Sequence, residues 1–471
     1  MSAVEQVAGA ASLDVTSPFD GSLIQSIPMH SKAEAEAMLD KAQALFKNRD
    51  AWLEPAVRID ILNKLAQLVE AEADDFAMLI AREGGKPLVD AKVEVARAVD
   101  GIRLAVDELD ELLAPKQVPM GRTAASQGRK ATINMEPIGV VVAVSAFNHP
   151  LNLIVHQVVP AIATGCPVIV KPATTTPLNC ARFVELAHQA GLPKDWCQLC
   201  IADNDVSEVL VTSEKINFFT FIGSAKVGWW LKSKLAPGVR CALEHGGVAP
   251  VIVEADADLD AAIPTLLKGG FYHAGQVCVS VQRVYAHESI ASEVAKRLAD
   301  GAEKLVVGDA TDEKTEVGPL ILNREVDRVD EWVGEAVKAG AELLTGGKKL
   351  SDSTYAPTVL ANPPADAKVS AAEIFGPVVC VYSYSDYREA IERANSLDVA
   401  FQAAVFTEDM DVANDCVKRF DATAVMVNEH TAFRVDWMPF AGRRHSGYGV
   451  GGIGHTMHDM MQIKMAVIKE S

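Results

Sequence analysis

From residue 139 to 253 the apolar positions fall into short runs rich in β-branched and aromatic residues, at 140–144, 168–170, 197–201, 218–222 and 251–253. Between them, 152–163, 177–190 and 225–235 carry apolar residues at helical spacing, so strands alternate with crossover helices. This alternation predicts a doubly wound parallel sheet, because parallel neighbours need a crossover long enough to return to the same edge. A second series runs from about 258 to 428, with helices predicted at 290–305, 326–339 and 387–394 and strands at 378–382, 403–406 and 424–427. The fold class is therefore α/β, with two lobes of one kind.

The N-terminal third reads as helical. Val95, Val99, Ile102, Val106, Leu109 and Leu113 step by four and three, which is one buried stripe of a long helix. A connector at 115–128 containing Pro, Gly and Ser follows it, and the alternating stretch 131–135 suits one half of a protruding hairpin. No internal repeat or low-complexity tract interrupts the pattern.

Composition narrows the class of partner. The 471 residues exceed the roughly 150–200 of one domain, so several cores are expected. Lys and Arg number 44 against 63 Asp and Glu, and the net charge of −19 repels both a nucleic-acid backbone and an anionic membrane. The opening Met-Ser-Ala-Val-Glu lacks the basic and then apolar pattern of a secretory signal. The longest apolar run, near 139–147, is far shorter than the roughly 18 residues of a membrane span, so a cytosolic protein is expected. Eight cysteines without dense or regular spacing read as reduced thiols.

Two motifs have duller explanations. Gly449-Val-Gly-Gly-Ile-Gly454 has dinucleotide-loop spacing, but no strand precedes it and too little chain follows for a βαβ unit, so it reads as a turn. Trp196-Cys197-Gln-Leu-Cys200 has dithiol spacing, but it falls in a predicted strand, which puts the two thiols on opposite faces. No second pair exists to complete a zinc site. Cys278, in Gly275-Gln-Val-Cys278-Val, would by itself be read as a buried inert thiol.

Other segments change the reading of Cys278. Phe147-Asn148-His149-Pro150, Lys171-Pro-Ala, Phe221-Ile-Gly-Ser224, Glu244-His-Gly-Gly247 and Glu373-Ile-Phe-Gly-Pro377, in this order and spacing, resemble the aldehyde dehydrogenase superfamily from about Thr16 to Pro439-Phe-Ala-Gly442. The resemblance implies Cys278 as nucleophile, the Asn148 side-chain amide with the Cys278 backbone N–H as oxyanion donors, and Glu244 as the base that hydrolyses the thioester. CoA-acylating relatives generally lack that glutamate, so its presence favours water as acyl acceptor. Structural relatives without catalysis tend to lose the nucleophile, which this chain keeps. His245 departs from the usual Leu beside the glutamate. The implied cofactor is NAD or NADP, held by Lys171, Gly223, Ser224, Glu373 and Phe375. Thr174 stands where relatives preferring NAD often carry Glu, which leaves the choice between the two open.

The resemblance also places Arg434, His149 and Arg97 at the aldehyde pocket. Periodicity alone sets Arg97 opposite the apolar stripe, where a solvated arginine is the usual occupant. Cations in that pocket imply a small anionic substrate, a sulfo-, phosphono- or carboxy-aldehyde, with Val277 in place of an arginine weighting toward a monoanion such as sulfoacetaldehyde. Lactaldehyde and succinic semialdehyde are the alternatives. The domains implied are 1–114 with 136–244 for the cofactor, 245–435 for catalysis, and 115–135 with 455–471 as an oligomerisation element of a homodimer or homotetramer.

Overall fold

The computed structural model describes residues 11–470, and the opening Met-Ser-Ala-Val-Glu lies outside them. The first sheet runs, edge to edge, Gly447–Tyr448, Arg240–Glu244, Phe218–Ile222, Val141–Val144, Val168–Lys171, Cys197–Leu199. Its neighbours are parallel except Gly447–Tyr448, which lies antiparallel on Arg240–Glu244. The chain enters in the middle at Val141–Val144, winds out through Val168–Lys171 and Cys197–Leu199, then returns to the other side for Phe218–Ile222. The switch point falls between Val141–Val144 and Phe218–Ile222, and the strands' carboxyl ends beside such a point are where doubly wound sheets bind ligands. Residues 145–149 and the Gly223–Ser224 turn border it.

The second sheet is ordered Glu342–Thr345, Thr358–Ala361, Val378–Tyr384, Val281–His287, Ala249–Val253, Gln402–Phe406, Ala424–Val427, with only the first pair antiparallel. Here the pattern reading needs correction. The 251–253 run, placed in the first series, pairs instead with Val281–His287 and Gln402–Phe406. Residues 245–248 are too short a link to return parallel to the same sheet, so the chain crosses directly into the second lobe. Arg240–Glu244, Val281–His287 and Thr358–Ala361 are strands that the pattern reading did not single out.

The long helix is Leu88–Leu113, and it buries Val95, Val99, Ile102 and Leu109 against the helices Pro55–Ala71, Ala73–Gly84 and Asn152–Thr164. The 131–135 stretch belongs to the strand Arg129–Pro137. It pairs with Lys116–Val118 over three residues, but its main partner is the C-terminal strand Met461–Lys469, in register from Met461 on Pro137 to Lys469 on Arg129. The Gly449–Gly454 run is a turn: Gly449 and Gly452 have φ of +85° and +108°, and the helix Ile453–Asp459 follows. Among the described residues no helix is long and apolar enough to cross a membrane.

Candidate active site

Glu244 ends its strand, and residues 245–248 then carry the chain across to the second lobe. On the way the Gly247 N–H donates to the Cys278 carbonyl at 3.1 Å, which ties the crossing to the loop between the helix Leu259–Phe271 and the strand Val281–His287. Seven of the eight cysteines are buried and Cys278 alone is partly exposed, so it is the thiol that a substrate can reach. Burial pushes the thiols of Cys197 and Cys200 up to about 12, and they pack into different core clusters, as inert side chains do.

The Cys278 loop is held by side chains. Gln276 Nε2 donates to the carbonyls of Pro319 (3.2 Å) and His273 (3.3 Å), and Gln276 Oε1 accepts from the Ile321 N–H (2.9 Å). The Thr431 hydroxyl donates to the Val279 carbonyl at 2.6 Å. Asn148 is buried, and its Nδ2 donates to the Gln276 carbonyl at 3.0 Å, which leaves the second amide hydrogen uncommitted.

Two carboxyls share this recess with the thiol. Burial pushes Glu244 up to about 7 against the pull of Arg434, and pushes Glu373 up to about 8 against the pull of Arg328. Glu373 Oε1 is buried without a hydrogen-bond partner. A methyl group on Gly246 would overlap the Glu373 carboxyl, and one on Gly451 would overlap that of Glu244, so each acid lies directly against a glycine. Burial holds the Cys278 thiol well above its ordinary range, with Glu373 and Glu244 adding to the effect and Arg434 opposing it.

The cations differ in their commitments. Arg434 lies with its guanidinium carbon 3.9 Å above the centre of the Phe440 ring, its Nη1 is buried without a partner, and burial lowers its pKa to about 10. Arg97 is only partly exposed and is not free: its Nε and Nη2 donate to the two Asp436 oxygens at 3.0 and 2.8 Å, a pairing that helical periodicity could not reveal. His149 Nε2 lies 3.3 Å from the Tyr272 hydroxyl, and burial, helped by Lys86, Arg97, His273 and Arg434, keeps its ring neutral.

At the carboxyl ends of the first sheet, Lys171 is nearly buried, and its ammonium makes no hydrogen bond among the described residues; burial lowers its pKa. Thr174 is exposed. The Gly223 N–H donates to the Glu244 carbonyl (3.1 Å), and the Gly223 carbonyl lies 2.9 Å from His245 Nδ1. Ser224 precedes the helix Ala225–Lys232 with its hydroxyl making no capping bond. Phe375, at φ +47°, sets its ring edge-on to Phe147 at 5.8 Å, beside Asn148 in the chain. A bulky residue in that backbone region is strained by about 1–3 kcal/mol, which the surrounding structure must offset. Gln276, Asp436 and Phe440 had no role in the sequence reading, although Gln276 and Phe440 both stand within runs it singled out.

A partly exposed cysteine sharing a recess with two glutamates, beside the switch point of a doubly wound sheet, defines the class, and comparison with known proteins agrees. The sequence matches the aldehyde dehydrogenase family over residues 5–466, and the chain belongs to that family. It is 35% identical over 461 residues to a 3-sulfolactaldehyde dehydrogenase of Priestia aryabhattai, covering 98% of this chain and 95% of the other. Aldehyde dehydrogenase 21 of Physcomitrella patens, solved with the reaction product succinate, is 33% identical and superposes with a TM-score of 0.94, covering 98% of this chain and 96% of that one. The glyceraldehyde-3-phosphate dehydrogenase GapN of Methanocaldococcus jannaschii, solved with NADP, is also 33% identical, with a TM-score of 0.92 and coverage of 98% and 100%.

Proposed function

We propose that this protein oxidises a small anionic aldehyde to the carboxylate through a thioester on Cys278, with water as the acyl acceptor. The observation that carries the substrate class is Arg434, a partly buried arginine whose Nη1 is buried with no protein partner. Leaving a buried cation unpaired is costly, and a pocket built for neutral alkyl groups would have no use for it. An anionic tail on the substrate satisfies it.

The chemistry follows from the neighbours. Cys278 is the cysteine with a route to solvent, so its proton can leave and the sulfur can add to the aldehyde carbon. The new oxyanion meets the free amide hydrogen of Asn148 and the Cys278 N–H, and losing one such donor typically costs about 3–4 kcal/mol. NAD or NADP, when bound, accepts the hydride that leaves the tetrahedral carbon. Glu244, raised to about 7, then takes a proton from the water that attacks the thioester; the carbon–sulfur bond breaks, the carboxylate product departs and the sulfur stays on Cys278, ready to be reprotonated.

The chain has groups suited to the dinucleotide. The free ammonium of Lys171 suits ribose hydroxyls, the Gly223–Ser224 turn at a helix start suits the pyrophosphate, and the unpartnered Oε1 of Glu373 suits the nicotinamide ribose, with Phe375 packed nearby. Thr174 carries no charge to repel a 2′-phosphate, so both cofactors fit. Kinetics on propionaldehyde, lactaldehyde, succinic semialdehyde and sulfoacetaldehyde, each with NAD and NADP, test the reading. The anionic aldehydes are expected to give the highest kcat/KM; equal values for propionaldehyde and sulfoacetaldehyde would contradict it.

A homo-oligomer is part of the same proposal. Met461–Lys469 is the edge strand of its sheet and exposes Ile463 (68%), Met465 (52%), Val467 (51%) and Ile468 (63%), an apolar edge suited to another subunit. Val467→Asp is expected to shift the protein toward monomer in light scattering after size exclusion, and an unchanged mass would count against this edge as the contact.

A further inference from the structure

The charges around the recess do not add up as the list of cations suggests. Asp436 is buried and accepts from Arg97 Nε (3.0 Å) and Nη2 (2.8 Å), from Asn152 Nδ2 (3.1 Å) and from His156 Nε2 (2.7 Å). These donors hold its carboxyl well below the usual range, so it is a full negative charge. His156 is pressed toward neutrality by burial, which leaves Arg97 as the cation that Asp436 cancels. Lys86 and Arg434 also bear on His149, and they differ. Lys86 is closed in an ion pair with Glu94, while Arg434 has no ion pair among the described residues.

We infer that Asp436 is a specificity-determining residue: by committing Arg97 in a bidentate pair, it leaves Arg434 as the one cation without an ion pair at the substrate end among the described residues and tunes the enzyme to aldehydes with a monoanionic carboxylate or sulfonate tail over dianionic phosphonate or phosphate tails. This rests on the reading of Arg434 as the substrate's counter-ion. A phosphate-type tail carries about −1.5 to −2 charges near neutral pH, and its second charge would be buried against a guanidinium whose charge its own carboxylate already balances. Asp436 acts through Arg97 and touches no reacting atom, so its effect falls on the ratio between substrates and not on the chemical step they share.

Three variants test this on propionaldehyde, sulfoacetaldehyde and phosphonoacetaldehyde at about pH 8, where the phosphonate is doubly charged. Asp436→Asn frees Arg97 and is expected to lower the sulfo-to-phosphono ratio of kcat/KM at least about tenfold. Arg97→Gln leaves Asp436 unmatched beside Arg434 and is expected to cut the preference of sulfoacetaldehyde over propionaldehyde by at least about tenfold. The double variant restores the balance of charge, and both ratios should return to within about threefold of wild type, because the two changes act through one pair. An unchanged sulfo-to-phosphono ratio in Asp436→Asn, with anion preference intact, overturns the inference but leaves the proposed function standing. If wild type shows no preference for anions over propionaldehyde, the function reading fails first. Should Asp436→Asn not fold, the double variant decides alone: ratios that stay displaced from wild type refute the charge-setting role.

Discussion

With Glu244 replaced by Gln, a saturating anionic aldehyde is expected to yield about one equivalent of reduced cofactor per subunit and then slow by roughly 10²–10⁴ relative to wild type. Gln keeps the shape that packs against Gly451 but cannot accept a proton, so the thioester on Cys278 forms and waits. Intact-mass spectrometry during the stall should find the acyl group on the protein, and a Cys278→Ser,Glu244→Gln protein should not carry it as a thioester. Steady turnover at the wild-type rate would remove Glu244 from the water step. In the unmodified enzyme the same carboxyl is expected to set an acid limb. Because burial raises it to about 7, it is protonated below that pH and useless as a base, so the deacylation rate is expected to fall as pH drops through about 7.

The parts of this machinery that could be read from the sequence are those with local signals. The stripe from Val95 to Leu109 declares one face of a helix, and the β-branched run at Val168–Lys171 declares a buried strand. Which sheet a strand joins is not a local property. The run at 251–253 has the same composition as its predecessors, and only the shortness of 245–248 sends it to the other lobe. The nine-residue pairing of Arg129–Pro137 with Met461–Lys469 is likewise invisible to periodicity, since neither strand identifies its mate.

The same distinction governs the site. Cys278, Glu244 and Asn148 stood out through the runs around them, whereas the state of Arg97 depended on Asp436, 339 residues further along. A guanidinium reads the same in a sequence whether it is paired or free, and its chemistry depends on which. Gln276 shows the complementary case: it stands two residues before Cys278, yet its task of tying that loop to Pro319 and Ile321 follows only from burial and distance.

That difference between a paired and a free guanidinium gives Arg434→Leu a distinctive signature. The change is expected to lower kcat/KM for succinic semialdehyde and sulfoacetaldehyde by roughly 10²–10³, the loss of about 3–4 kcal/mol for a desolvated charge pair. Leu can keep the apolar contact with Phe440, so propionaldehyde should change by no more than about threefold, within the range of ordinary packing effects. Arg434→Lys should fall between, since an ammonium supplies the charge without the bidentate fork. The thermal midpoint gives a separate sign: removing a partly buried cation whose buried Nη1 is unsatisfied relieves a desolvation cost, so the Leu variant should melt no lower than wild type in the absence of substrate. A variant that loses activity equally on charged and neutral aldehydes, or melts well below wild type, would show that Arg434 supports the fold of the loop and not the recognition of an anion.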